Sequence, residues 1–150
     1  MGYVRLDKIK STAHIETIVA NQDLVNGQFV ALGQLQADGE ARSATPSGDQ
    51  AEELVFHASV PLTYEDRTNE LDFVLKAGKE GRGYVLEQGD IVSVSEDLIA
   101  VGELAENAIV VPHADGFAVT SEPTTGLHGK IIAVETDMIA GKLAVIRLGK

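Results

Sequence analysis

The chain has 150 residues, of which 44% are apolar, so one compact domain can form a core without disulfides or metal ions. It contains no Cys, which excludes disulfides, thiol catalysis and thiolate metal sites, and its low aromatic content of 5% disfavours a surface that stacks sugars or bases. The net charge of −11 argues against direct binding of nucleic acid, which requires a basic surface.

The first residues fit neither a helical nor a strand period. We expect an extended N-terminal arm at residues 1–12, followed by a single β domain at residues 13–150. Arg5, Lys8 and Lys10 make this arm basic. It contains no apolar signal core, and no run in the chain approaches the roughly 20 apolar residues that span a bilayer. We therefore expect neither Sec export nor a membrane partner.

One nine-residue pattern occurs three times and predicts a tight turn followed by a strand. Each copy begins with Leu, has Gly or Asn at its fourth position, and continues with two apolar residues. The copies span residues 24–32, 86–94 and 104–112. Gly and Asn tolerate positive φ better than other residues. We therefore predict that Gly27, Gly89 and Asn107 are positive-φ turn residues and not ligand contacts.

Short apolar segments follow one another at a spacing of about 8–12 residues, which is typical of sandwiches and barrels. The predicted strands are 13–20, 28–35, 53–61, 73–75, 84–86, 91–94, 99–101, 108–112, 116–120, 130–135 and 142–148. No amphipathic segment predicts a long helix. The fold class is therefore all-β: a single-domain β-barrel, β-tulip or β-sandwich of about ten short strands with an N-terminal arm.

Two segments between these strands predict loops. Residues 42–50 are polar and contain Pro46 and Gly48. Residues 78–83 are rich in glycine, but a strand follows them and no Lys-Ser/Thr pair is present. Phosphate-binding loops usually open a helix, so we interpret this segment as an exposed turn.

Acidic residues and histidines give no strong metal motif. Four carboxylates lack the alternate spacing and central Gly of a calcium loop and indicate a solvated acidic loop: Glu65, Asp66, Glu70 and Asp72. Four histidines are scattered and predict turn or surface positions: His14, His57, His113 and His128. Of these, His57 is expected on the solvent-facing side of its strand. Only His113 and Asp115 form a close pair, within a predicted hairpin turn.

Catalytic motifs are absent from the sequence. There is no Gly-x-Ser-x-Gly nucleophile turn, and Cys chemistry is excluded. Paired carboxylates could cleave sugars, but such clefts generally need aromatic platforms. We therefore expect no enzyme, no catalytic residue, no metal and no cofactor, although a small enzyme with an acidic cleft is a third hypothesis.

Positive charge concentrates at the two ends of the chain. Lys142, Arg147 and Lys150 lie among the last nine residues, which contain no acid. Residues 11–141 hold 6 basic and 22 acidic residues. Either the ends are neutralised by the acidic body of the same chain, or they bind an acidic neighbouring chain.

The chain resembles small structural proteins of tailed bacteriophages, of the kind encoded near the major capsid protein, in three segments. These are MGYVRLDKIKSTAHIETIVANQDLVNGQFVALG, LDFVLKAGKEGRGYVLEQGDIVSVS and GKLAVIRLGK. The resemblance implies a head decoration or minor capsid protein, made in the bacterial cytoplasm and bound to the capsid exterior. It also implies a homo-oligomer, with a trimer favoured, and an arm that adds a strand to the major capsid protein and stabilises the lattice.

Under this hypothesis the arm residues bind the partner: apolar side chains enter a groove and basic ones face acids of the capsid. The residues concerned are Tyr3, Val4, Arg5, Leu6, Lys8 and Ile9. The alternative is a soluble β-barrel binding or adhesin module of a virion or cell surface. A deep pocket with converging polar groups would favour this alternative or an enzyme.

Overall fold

The structure is a computed structural model that describes residues 3–9, 14–37, 39, 41–49, 52–59, 74–121, 126–138 and 141–149. These residues form an all-β fold with one short 3₁₀ helix, Glu96–Leu98. The strands are β1 (Val4–Lys8), β2 (Ile15–Ala20), β3 (Leu24–Val25), β4 (Phe29–Leu35), β5 (Arg42–Pro46), β6 (Leu54–His57), β7 (Val74–Leu75), β8 (Glu80–Tyr84), β9 (Ile91–Ser95), β10 (Ile99–Val101), β11 (Ile109–His113), β12 (Gly116–Thr120), β13 (Gly129–Asp137) and β14 (Gly141–Leu148).

The all-β prediction is confirmed, and the expected number of about ten strands was too low. Five strands close a barrel in the order β2-β5-β4-β6-β8. Seven strands form a second sheet in the order β1-β9-β14-β13-β11-β12-β10, with β1 and β10 at its edges. Strands β3 and β7 pair with each other. Most pairings are antiparallel, whereas β2–β5 and β10–β12 are parallel.

The core consists of two apolar clusters. The smaller cluster fills the barrel with side chains that include Ile18, Val30 and Val55. The larger cluster lies between the barrel and the seven-stranded sheet, where Phe29 and Phe56 of the barrel meet residues of the sheet. Successive side chains of a strand point to opposite faces. Phe29 of β4 and Phe56 of β6 therefore belong to the larger cluster, whereas their neighbours Val30 and Val55 belong to the smaller one.

Three phenylalanines join the barrel to the sheet. The ring centroids of Phe29 and Phe56 are 5.1 Å apart, and Phe117 of β12 packs edge-on against Phe29 at 5.2 Å. All three side chains are fully buried. Aromatic rings in tilted or edge-to-face contact stabilise one another beyond the area they bury, so this cluster fastens the two sheets together.

The three copies of the repeated pattern fold into the same turn, as predicted. Gly27, Gly89 and Asn107 have φ of 98°, 97° and 68°. Each N–H donates to the carbonyl of one residue in a distant strand, at 2.8 Å in all three cases. That residue's own N–H donates back to the carbonyl following the turn: His57 to Gln28, Leu148 to Asp90 and Ile131 to Ala108.

Two predicted loops are partly strands. Arg42–Pro46 forms β5, which lies between β2 and β4 in the barrel. Its inward residue is Ala44, which is buried but too small to give a strong apolar signal. The glycine-rich segment begins with the predicted exposed turn at Gly78 and Lys79, but from Glu80 onward it forms β8. A Cβ on Gly81 would lie 2.4 Å from Leu75 Cδ2, and one on Gly83 would lie 2.4 Å from Val55 Cγ2. Glycine therefore allows β8 to close the narrow barrel.

Candidate partner-binding surface

Strand β1 contains most of the predicted partner-binding residues and lies at the edge of the seven-stranded sheet. It pairs antiparallel with β9, and Arg5 lies opposite Ser93. Tyr3, just before β1, accepts a hydrogen bond from the Ser95 N–H at 2.9 Å. Among the strands that the structure describes, none pairs with the other side of β1. We call this side of β1, which is unpaired within the described ranges, the open edge.

The backbone groups on that open edge follow from the pairing. Hydrogen-bonded and non-hydrogen-bonded pairs alternate along an antiparallel ladder. Because Tyr3 bonds with Ser95, Arg5 forms the next hydrogen-bonded pair with β9. The N–H and C=O groups of Val4 and Leu6 therefore point to the open edge.

The apolar side chains near the N-terminus contact the chain's own core. Val4, Leu6 and Ile9 are partly buried and pack against the larger apolar cluster. Strand β1 therefore offers a partner mainly its backbone N–H and C=O groups, and not these apolar side chains. The expected boundary of the arm at residue 12 lies outside the described residues.

The two basic residues of β1 have different surroundings. Arg5 Nε donates to Asp7 at 2.8 Å, and Arg5 Nη2 donates to Glu135 at 2.9 Å. Hydrogen bonds to Glu135 and then to Asp7 raise the pKa of Arg5. The Ser93 hydroxyl also donates to Asp7. Lys8, in contrast, is exposed and has no carboxylate of the described chain within ion-pair distance.

A shallow groove lies at the end of β1. Its volume is about 410 Å³, and its lining residues are Lys8, Ile9, Gln88, Gly89 and Asp90. Three of these belong to the second copy of the repeated turn. The Asp90 carboxylate accepts the Glu87 N–H at 2.8 Å, which holds the turn in place. The groove can therefore receive a side chain of a segment that runs along β1.

The prediction that His57 faces solvent was wrong, because its side chain is fully buried. Nδ1 donates to the Val25 carbonyl at 2.8 Å, since a carbonyl only accepts. Nε2 then accepts from the Ser59 hydroxyl at 2.8 Å, and Ser59 Oγ accepts the Arg82 N–H at 3.0 Å. Burial lowers the pKa of His57, against a smaller opposing effect of the bond to Val25.

A buried polar network surrounds His57. The Asn26 side chain donates to the Ser59 carbonyl and accepts the Ser59 N–H, both at 2.9 Å. Gln28 accepts the Val25 N–H at 2.8 Å and donates to the Ala114 carbonyl at 3.2 Å. The network ties the first repeated turn to β6 and to the β11–β12 hairpin. Sequence reasoning missed it, although Asn26 and Gln28 stand on either side of the turn glycine.

The remaining histidines lie in local contacts. His14 contacts Glu16 at 2.8 Å, and His128 contacts the Gly126 carbonyl at 2.8 Å. The Asp115 N–H donates to His113 Nδ1 at 3.1 Å across the turn of the β11–β12 hairpin. Within the described ranges, no three His, Cys, Asp or Glu side chains converge as metal ligands. The acidic segment at residues 65–72 lies outside those ranges.

A search for membrane-spanning helices in the described part of the chain found none of sufficient length and apolarity. The sequence matches no protein-family model, and no curated protein matches it significantly. Strand β1 with its open edge, together with the adjoining groove, is therefore the candidate partner-binding surface.

Proposed function

We propose that this protein is a structural subunit of a tailed-phage particle that binds the outside of the capsid and stabilises the lattice. In this proposal, the major capsid protein contributes a strand that pairs with the open edge of β1. The subunit acts as a homo-oligomer, with a trimer favoured by the sequence resemblance. It needs no cofactor, because its role is to hold neighbouring capsid subunits together.

The observation that carries the proposal is the one-sided pairing of β1. Strand addition gains affinity from main-chain hydrogen bonds and specificity from pockets for alternate side chains. Val4 and Leu6 supply the backbone groups, and the groove beside Ile9 supplies a pocket. The side chains of β1 hold the strand on its own sheet, so the docking edge is ordered before a partner arrives.

The opposite edge of the same sheet is a poorer docking strand. It is formed by β10, Ile99–Val101, which has three residues and pairs in parallel with β12. Strand β1 has five residues and an antiparallel ladder. A longer strand offers more backbone groups to a partner, so β1 is the edge that we assign to the capsid.

Replacing Val4 with proline tests this assignment. Val4→Pro removes an outward N–H and places a ring on the open edge, while the bonds from β1 to β9 remain. Val4→Ala is the matched control, since it shortens the side chain and keeps the N–H. Co-sedimentation with phage heads assembled without the protein measures binding. We expect Val4→Pro to weaken binding by about tenfold or more and Val4→Ala by less than about threefold.

Circular dichroism and the thermal midpoint of each variant establish that it is folded. Wild-type binding by folded Val4→Pro would contradict strand addition at β1. Failure of the wild-type protein to bind heads, or to co-purify with particles, would contradict the proposed function itself.

A further inference from the structure

One row of side chains crosses five strands of the seven-stranded sheet. Lys8 lies opposite Ile91, Ile91 opposite Arg147, Arg147 opposite Lys130, and Lys130 opposite Ile109. Residues directly opposite each other in an antiparallel pair project from the same face. We call these five residues the cation row.

The cation row faces away from the core. The next residues along three of its strands are Val92, Ile146 and Ile131, which are fully buried in the larger apolar cluster. Since side chains alternate along a strand, their neighbours in the row project from the opposite face. Lys8, Lys130 and Arg147 are exposed, whereas the two isoleucines of the row are half-buried.

The row gathers positive charge that the described part of the chain leaves unpaired. Arg147 and Lys130 lie directly opposite each other, an arrangement that is destabilising for like charges. None of the three cations forms an ion pair with a described carboxylate. The chain has 23 Asp and Glu but only 12 Lys and Arg, so acids for internal pairing are plentiful. Arg5, on the same face, has two such partners.

We infer that the cation row binds an acidic polypeptide segment of a partner protein. Its carboxylates would relieve the repulsion between Arg147 and Lys130, and its apolar atoms would cover Ile91 and Ile109. The row begins at Lys8, which also lines the groove at the end of β1. It therefore forms one continuous surface with the open edge of that strand.

The spacing of the row fits an extended chain that crosses the strands. Adjacent strands lie about 4.8 Å apart, so Lys8 and Arg147, two strands apart, are separated by about 10 Å, and Lys130 lies about 5 Å beyond. An extended segment advances about 3.3 Å per residue. Two carboxylates about three residues apart in such a segment can therefore reach Lys8 and Arg147. A third carboxylate, one or two residues further along the segment, can reach Lys130.

A polypeptide is favoured over nucleic acid because of the charge on the rest of the molecule. A net charge of −11 repels a phosphate backbone that extends beyond the row. A short acidic segment avoids this repulsion, because it contacts only the row itself. This inference deepens the proposed function by naming the chemistry of the partner, and it rests on that function only in taking the partner to be a protein.

The test compares two double variants with the same change in charge. Lys130→Glu/Arg147→Glu reverses the row, and Lys79→Glu/Arg82→Glu reverses two exposed cations at the barrel. The probe is a fluorescein-labelled decapeptide of Glu and Gly, and fluorescence anisotropy measures its binding at low and at moderate salt. We expect the wild type to bind the peptide with an affinity that falls as salt rises. The row variant should bind at least about tenfold more weakly, and the barrel variant within about threefold of the wild type.

Three results would overturn the inference. These are no binding of the peptide by the wild type, equal losses in the two double variants, or tighter binding of a ten-nucleotide single-stranded DNA than of the peptide. Circular dichroism verifies the fold of both variants. The peptide assay contains no phage head, so a negative result there leaves the proposed function standing. Failure of the wild-type protein to bind phage heads, in contrast, overturns the proposed function alone.

Discussion

At the scale of single residues, the three repeated turns share a backbone conformation but differ in their surroundings. A Cβ on Gly27 would lie 2.3 Å from Leu98 Cδ1, whereas a Cβ on Gly89 would meet nothing within 4 Å. Asn107 already carries a side chain at positive φ. The sequence predicted these turns because Gly and Asn act locally, but the differences between them depend on tertiary contacts.

Alanine substitutions at the three turns should therefore have unequal costs. Gly89→Ala should lower the free energy of unfolding by about 1 kcal/mol, the cost of positive φ in an L-residue. Asn107→Ala should cost less, because Asn107 already carries a side chain at positive φ. Gly27→Ala should cost more, because Leu98 must also move. Urea unfolding measures all three, with Asn107→Gly as a control that should be neutral or stabilising. Equal costs at Gly27 and Gly89 would contradict the role of Leu98.

The burial of His57 predicts that the stability of the protein depends on pH. Burial lowers its pKa below the usual 6.5, so the unfolded chain binds the additional proton when the pH falls below about 6.5. Stability should therefore be complete above that pH and fall as the pH drops, by at most about 1.4 kcal/mol per pH unit from this group. Urea unfolding of wild type between pH 7.5 and 5.5 measures the slope.

His57→Gln provides the comparison for that slope. Glutamine can donate a hydrogen bond to the Val25 carbonyl but does not titrate. The variant should be less stable at pH 7.5 and should lose part of the pH dependence. An unchanged slope in His57→Gln would assign the effect to other groups.

At the scale of elements, alternation in the sequence identified strands but could not say which of their faces are covered. In β6 the alternation of Phe56 with Val55 and His57 was correct, but both faces are buried because the barrel and the sheet enclose the strand. Strand β5 was missed because its pairing with two neighbours, and not its composition, makes it a strand.

The cation row shows the same dependence on neighbouring strands. The sequence indicated basic ends, and Lys8 and Arg147 belong to them. Lys130 carried no signal, since it lies far from both ends and in an acidic region. Only the register of β13 against β14 places it beside Arg147.

At the scale of the whole molecule, we expect the phenylalanine cluster to make the barrel and the sheet unfold together. Phe117→Ala removes the sheet's ring from its contacts with Phe29 and Phe56 and leaves a cavity. We expect a loss of about 3–5 kcal/mol in the free energy of unfolding, measured by urea denaturation. Ile132→Ala, at a side chain that is 45% exposed, is the control and should cost less than about 0.5 kcal/mol.

The shape of the transition is a second readout of that experiment. If the cluster is the main packing contact between the barrel and the sheet, Phe117→Ala should also broaden or split the unfolding curve. A loss below about 1 kcal/mol with a single sharp transition would contradict this role.

The pairing of β1 with β9 also has a consequence for the time course of synthesis. Tyr3 and its partner Ser95 are 92 residues apart in the chain. At about 5–20 residues per second, β1 leaves the ribosome on the order of 5–20 s before β9, its strand partner in the described part of the chain. Strand β1 is thus synthesised well before the strand that orders it. A chain that ends before β9 cannot order β1 as an edge strand, so under the proposed function truncated products should not bind the capsid.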